Sequence, residues 1–353
     1  MAALDDRSIR ALARALSRWF EAEARDLAWR RTRDPYAIWV SEIMLQQTRV
    51  ETVERYWPDF LARFPDVASL ARADEDAVLE QWSGLGYYRR ARLLHRGAKH
   101  VHEQLGGQLP RSAAELRSIP GIGRYTAGAI ASIAFDQKAP LVDGNVARVH
   151  SRLLALVDPR EQDASHEGHW RFVESILEHG SPRILAQALM ELGATVCTPR
   201  SPSCSRCPAR KPCRARAEGS QASIPAVKLK KPAPELHYVA LALRHRDRLL
   251  LERRPDQGLL AGLWCLPLFD REAELVAAAR ERFGVAVELA DQPATTVKHV
   301  FSHRVWHILP WPARARRAPK LDPREYVWVA PDEAPEGGVP TLTRKLLRAL
   351  GEG

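Results

Sequence analysis

The sequence predicts a multidomain chain, an all-α unit with a cysteine loop followed by an α+β unit. Three observations predict it. Up to about residue 196 apolar residues recur at three- and four-residue spacing, the mark of helices with one buried face. Four of the five cysteines then crowd into CTPRSPSCSRCPARKPC, 197–213. Beyond residue 234 the spacing changes to alternation, the period of a strand.

Helices are expected at 8–22, 37–56, 75–83, 87–105, 112–118, 124–135, 144–156 and 182–194, parted by short breaks rich in Gly, Pro and Asp. SQASIPAVKLKKPAP, 220–234, carries Pro, Ser and Lys without periodicity and reads as a linker. HYVALALR (237–244), RLLLERRP (248–255), VKHVFSHRVWHI (297–308) and YVWVA (326–330) alternate like strands. Helical stretches at 271–283 and 341–350 accompany them. The expected domains are therefore 1–219 and 235–353, joined by 220–234.

At 353 residues the chain can form well-packed cores. Its start, MAALDDRSIRAL, does not read as a secretory signal, and no apolar run approaches membrane-spanning length. A cytoplasmic, nucleoid-associated location follows, where thiols stay reduced and disulfides are disfavoured. Residues 1–196 carry 26 basic and 26 acidic side chains. Residues 197–231 carry nine basic ones (Arg200, Arg206, Arg210, Lys211, Arg214, Arg216, Lys228, Lys230, Lys231) against Glu218 alone. Most of the net +10 thus sits in the cysteine segment and its tail, a footprint for phosphates.

The cysteines are spaced C-x6-C-x2-C-x5-C, with one short hook, Cys204 and Cys207, and Cys197 and Cys213 reaching in from either side. Zinc sites usually pair two short hooks, so a cubane cluster on four thiolates fits this loop better, with zinc the alternative. Cys265, alone in an apolar stretch, reads as core packing. The spacing, directly after a helical domain, resembles the [4Fe–4S] loop of the endonuclease III and MutY branch of DNA glycosylases.

LRSIPGIGRYTAGAIASIA, 116–134, reads as a helix, a tight turn and a second helix. Gly121 and Gly123 permit unusual backbone conformations and close approach, and the new helix start offers amides to an anion. An isolated GxG is more often a plain connection. Beside the cysteine loop and Asp143, it resembles a helix–hairpin–helix that grips a DNA phosphate through main-chain N–H groups.

Asp143, in LVDGNVARVH, sits where an N-cap belongs. It also matches the aspartate that follows the hairpin in this glycosylase superfamily. Glu42, in WVSEIMLQQTRV, would share a solvated stripe with Gln46 and Arg49 on a straight helix. SEIMLQQT nevertheless resembles the MutY signature, in which this Glu lies in the base pocket. Two carboxylates suit N-glycosidic cleavage through an oxocarbenium-like state, one as acid, the other stabilising the sugar. The resemblance implies that Glu42, its pKa raised by apolar Trp39, Ile43 and Leu45, protonates adenine N7. Asp143 stays ionised against the sugar. Strand-nicking relatives carry a Schiff-base lysine where this chain has Tyr125, and only Lys99 and Lys138 precede the cysteines, so a monofunctional enzyme is expected.

The target base must be flipped out of the stack. By the same resemblance Gln47 and Tyr87 fill the opened helix, while Trp29, Arg30, Leu45 and Gln187 form the adenine pocket. Tyr125 and Asn145 help place the sugar or its water. Glu191, on the Gln187 helix face, reads as structural. The second domain resembles the MutT-like, Nudix-fold domain of the MutY family; LLAGLWCLPLF, 259–269, looks like the strand entering a Nudix box. REAELVAAARERFGV lacks the paired glutamates of that box, which argues against a pyrophosphatase. Phe301, Ser302 and His303 match the FSH loop that recognises 8-oxoguanine. The implied protein is a monomer that acts on double-stranded DNA with A:8-oxoguanine or A:G mispairs and carries a [4Fe–4S] cluster. The rivals are an endonuclease III-like glycosylase/lyase for oxidised pyrimidines, a Nudix hydrolase fused to a DNA-binding domain, and a non-enzymatic iron–sulfur DNA-binding protein.

Overall fold

The computed structural model describes residues 4–226, 232–270, 274–330, 333, 335 and 337–351. Lys228, Lys230 and Lys231, the middle of the expected linker and residues 271–273 lie outside the described residues. Chain contacts define two compact units: Met1–Arg72 with Leu93–Leu229, and Ala73–Arg92 with Lys230–Gly353. The stretch 73–92, which is helical and early in sequence, thus packs with the second unit.

The first unit is helical, as predicted. α1 (Asp6–Glu23) starts on Asp5, whose carboxylate accepts from the Ser8 N–H at 2.7 Å. α2 (Pro35–Leu45) has Pro at its start and an Asp34 cap, and nine of its eleven residues are buried. The single helix expected over 37–56 is two. α2 stops at Leu45, Gln46 is extended, Gln47 is left-handed (φ 58), and α3 (Val50–Arg63) begins after Arg49. Apolar spacing runs through this break, so periodicity alone does not reveal it. α4 (Val67–Arg72) follows, then α5 (Glu75–Gln81) in the second unit, and α6 (Arg89–Gln104).

α7 (Ala113–Leu116) and α8 (Arg124–Phe135) form the hairpin, and α9 (Gly144–Leu154), α10 (Glu167–Leu177) and α11 (Pro182–Glu191) complete the core. α1, α8, α9, α10 and α11 bury one apolar cluster that includes Leu16, Ile133, Val149, Val173 and Leu189. Burying side chains of this kind stabilises by about 1.5–3 kcal/mol each. The helix expected to 194 changes character: Leu192–Val196 is a π turn before the cysteines, and α12 (Arg214–Glu218) follows them.

The second unit is α+β. Its strands are β1 (Glu235–His245), β2 (Arg248–Arg253), β3 (Trp264–Cys265), β4 (Leu268–Asp270), β5 (Val287–Leu289), β6 (Val297–Val300), β7 (Val305–Ala315) and β8 (Tyr326–Val329). They form one sheet, ordered β3-β2-β1-β7-β5, with β4 beside β1, β6 beside β7 and β8 beside β2; among the described residues only β1 and β7 pair in parallel. α13 (Leu275–Phe283) covers one face with Leu275, Ala279 and Phe283, and α14 (Thr341–Ala349) the other with Leu342 and Leu346. The run 297–308 is broken at Phe301–Arg304 by a tight turn, with the Phe301 N–H donating to the Arg304 carbonyl at 2.9 Å. Cys265 is buried at 1% exposure, and burial pushes its thiol up to about 12.

Candidate active site

A cleft of about 560 Å³ opens in the first unit. Nine predicted residues meet in its walls: Trp29, Arg30, Glu42, Leu45, Gln47, Tyr125, Asp143, Asn145 and Gln187. They come from the α1–α2 connection, the end of α2, the break after it, and the starts of α8 and α9, with Gln187 on α11.

Glu42 rides the last turn of α2 at 5% exposure, between buried Trp39 and Ile43. The Tyr125 hydroxyl donates to its Oε2 at 2.9 Å and lies 3.2 Å from Met190 Sδ. Burial pushes the Glu42 carboxyl up to about 7; the Tyr125 bond pulls it down, the Asp143 charge pushes it up, and Arg30 pulls it down. Burial and the two carboxylates hold the Tyr125 hydroxyl well above its ordinary range. The solvated stripe through Glu42, Gln46 and Arg49 does not form, because α2 ends before it could.

Asp143 caps α9. Its Oδ1 accepts from the Val146 N–H at 2.8 Å, and its Oδ2 accepts from Asn145 Nδ2 at 2.8 Å. A cap with both oxygens engaged points its carboxylate in one direction. Asn145 Oδ1 in turn accepts from Arg148 Nη2 at 2.8 Å, and Arg148 also donates to the Gly193 carbonyl at 2.7 Å and the Cys197 carbonyl at 2.8 Å. Gly193 lies in the π turn, where an added Cβ would come within 2.5 Å of Asn145 Cβ. Inserted turns of this kind recur at functional sites. Here the turn brings the backbone after α11 against the start of α9.

Glu191, read from sequence as structural, lines the cleft at 1% exposure. Its carboxylate accepts from Arg25 Nε at 2.8 Å and from Arg25 Nη2 and Arg30 Nη2 at 2.7 Å each. Burial alone would raise this carboxyl, but the Arg25 and Arg30 bonds overcome it and hold it at about 2. Its signal in sequence was its place one helical turn beyond Gln187. Arg25, Gln46, Met190 and Arg148 carried none.

The remaining predicted residues lie elsewhere. Gly121 is left-handed (φ 85), and a Cβ there would sit 2.8 Å from Leu93 Cβ. Gly123 is not: its φ is −87, a Cβ would meet nothing within 4 Å, and it caps α8 with no side-chain bond. The space beside Gly123 at that helix start is open. Tyr87, 49% exposed, is left-handed (φ 49) like Gln47. In the second unit its hydroxyl meets Ser302 Oγ at 3.1 Å. Ser302 and His303 are exposed at the β6–β7 turn, while Phe301 tucks edge-on against Trp306 at 4.8 Å. Lys138 is exposed, paired with Glu178 at 2.5 Å, and does not line the cleft.

Cys197, Cys204, Cys207 and Cys213 line one small cavity together with Arg152, Arg210 and Arg216. All five cysteines are free thiols, and among the described residues no three or more His, Cys, Asp or Glu side chains are grouped to hold a single metal ion. Arg152 Nη1 lies 3.3 Å from Cys197 Sγ. Burial pushes the Cys207 thiol up to about 12, and its sister thiols add to the push. Four sulfurs that repel one another when ionised, with the Arg152 guanidinium against one of them, suit a multi-iron centre that ionises them and leaves a net negative charge.

Residues 40–172 match the family model of the HhH-GPD superfamily of base excision DNA repair proteins, and residues 238–349 match that of the NUDIX domain. The solved thermostable thymine-DNA glycosylase is 27% identical; it superposes with a TM-score of 0.56 over 60% of this chain and 98% of its own. The class is therefore a helix–hairpin–helix DNA glycosylase with an appended Nudix-like domain. The adenine DNA glycosylase of Mus musculus is 35% identical across 94% of this chain and 76% of its own length. That of Homo sapiens is 35% identical across 95% and 73%. The chain belongs to the adenine DNA glycosylases, hydrolases of the N-glycosidic bond. An endonuclease III-like lyase for oxidised pyrimidines is not favoured.

Proposed function

We propose that this chain, as a monomer, removes adenine mispaired with 8-oxoguanine or guanine from double-stranded DNA and leaves the strand intact. The observation that carries the reading is Glu42: a carboxyl buried in the cleft, raised to about 7, with Asp143 in the same wall. At neutral pH part of the protein holds a proton on Glu42, ready for adenine N7, which turns a poor leaving group into a good one. Asp143, its direction set by Val146 N–H and Asn145, faces the sugar as positive charge develops there. Water completes the hydrolysis.

Trp29, Arg30, Leu45 and Gln187 would hold the flipped base, with Glu191 fixing the Arg30 guanidinium. Gln47 and Tyr87 would fill the gap left in the duplex; their left-handed backbones, strained for residues with a Cβ, fit a role in which the tip must project. Gly121 and Gly123 shape the turn that offers amides to a phosphate. Phe301 seats the turn from which Ser302 and His303 would meet 8-oxoguanine. Cys197, Cys204, Cys207 and Cys213 would hold a [4Fe–4S] cluster, which supplies a cross-link that folds the basic loop. Tyr125 in place of a lysine, and Lys138 engaged outside the cleft, support a monofunctional enzyme.

Duplexes with single defined pairs test the reading. Adenine should be released opposite 8-oxoguanine, with strand breakage only after alkali, and Glu42→Gln should bind this duplex without excising. Retained turnover in that variant, or breakage without alkali, would contradict the assigned chemistry.

A further inference from the structure

The Tyr125 hydroxyl carries one proton and has two acceptors in reach, Glu42 Oε2 at 2.9 Å and Met190 Sδ at 3.2 Å. Burial and the charges of Glu42 and Asp143 hold this hydroxyl well above its ordinary range, so it stays a donor at every working pH. Glu42, Tyr125 and Met190 line the cleft together. Each comes from a different helix: Glu42 from the last turn of α2, Tyr125 from the first turn of α8, and Met190 from α11, one residue before Glu191. Tyr125 and Met190 both pack on the apolar cluster of the helical unit, which sets the ring and the thioether side by side.

The two acceptors are unequal. A bond to an ionised carboxylate is about twice as strong as a neutral one, and a thioether is a weak acceptor. With Glu42 ionised, the proton belongs to the carboxylate, and that bond pulls its pKa down. Once Glu42 carries a proton of its own, its oxygen loses that advantage, and the sulfur gives the hydroxyl a second place to point. An acceptor that serves only the protonated state of an acid favours that state. We propose that Met190 is a positioning residue for Tyr125: its sulfur draws the hydroxyl off Glu42 whenever Glu42 is protonated, and so favours the protonated carboxyl. On the reading of Glu42 as the acid, on which this consequence rests, its proton is left free for adenine N7. The other charged groups around Glu42 are held by partners of their own. Asp143 is bound by the Val146 N–H and Asn145, and Arg25 and Arg30 by Glu191, while α3 opens at the cleft with apolar Val50.

Met190→Leu keeps the apolar volume and removes the acceptor. Infrared titration of the full chain follows the protonated carboxyl band of Glu42, assigned by its absence in Glu42→Gln. The expected result is a downward shift of the Glu42 titration by about half a pH unit, since the hydroxyl then stays on the carboxyl. The alkaline limb of kcat/KM for adenine release should move with it, so that the variant falls about threefold below the native protein at pH 8 and matches it at pH 5.5. Met190→Ile, which also lacks an acceptor, should repeat the result, with circular dichroism checking that each variant is folded. With Tyr125→Phe already in place, Met190→Leu should move neither titration nor limb. An unmoved or raised titration in the folded variants, or an equal shift in the Tyr125→Phe background, would overturn the inference, because the sulfur would then not act through the hydroxyl. A shifted titration with an unshifted limb would uphold the action of the sulfur on the carboxyl and refute Glu42 as the acid.

Discussion

Glu42→Gln should change the pH dependence of stability as well as abolish excision. The Glu42 carboxyl moves from an ordinary 4.5 to about 7 because burial disfavours its charge. At about 1.4 kcal/mol per pH unit, that displacement is worth about 3 kcal/mol. A carboxyl raised on folding contributes stability that is complete below pH 4.5 and is lost as pH rises through 7. Between pH 5.5 and 8.5 the native chain should lose about 2 kcal/mol of this contribution. Glutamine fills the same space and has no proton to lose. The variant should therefore gain on the native protein as pH rises and surpass it above neutrality, by several degrees in the melting temperature of the helical unit. Thermal unfolding of both proteins at pH 5.5, 7 and 8.5, followed by circular dichroism, measures the difference. A difference in melting temperature that does not change with pH would refute the desolvation of Glu42, and with it the physical basis for an acid poised near neutrality.

Three further outcomes follow from the geometry. Tyr125→Phe removes the donor that favours ionised Glu42, so the alkaline limb of the kcat/KM profile should move upward by about half a pH unit or more; an unmoved limb would show that the bond does not tune the acid. Gly121→Ala should cost about 1–3 kcal/mol in denaturant unfolding, since it forces a Cβ into Leu93 at positive φ. Gly123→Ala should leave stability nearly unchanged and weaken DNA binding alone, and equal losses at the two sites would contradict the open surface at Gly123. Arg206→Ala and Arg210→Ala should weaken binding to matched and mismatched duplexes alike and reduce the slope of log K against log salt by about 1 per lost phosphate contact. An unchanged slope would leave the loop a structural element only.

Much of this protein was legible in its residues alone. Caps, prolines and apolar spacing act over a few residues, so α1, α8, α9 and the hairpin β1–β2 were readable from local pattern. The cysteine spacing, Asp143 before its helix and the FSH turn are also local facts. Tertiary structure decided what depends on groups distant in sequence. The break at Gln46–Arg49 is set by where α2 and α3 must pack, and it turns Glu42 from a solvated stripe into a cleft wall. The pKa of Glu42 arises from α2, α8, α9 and the α1–α2 connection together, because desolvation and charge act through space. The π turn after α11 and the Arg25–Glu191–Arg30 cluster have the same origin, since they exist only when the α1–α2 connection, α9 and α11 come together. Sequence by itself determined which chemical groups this protein carries. Only the fold decided which of them lose water and meet.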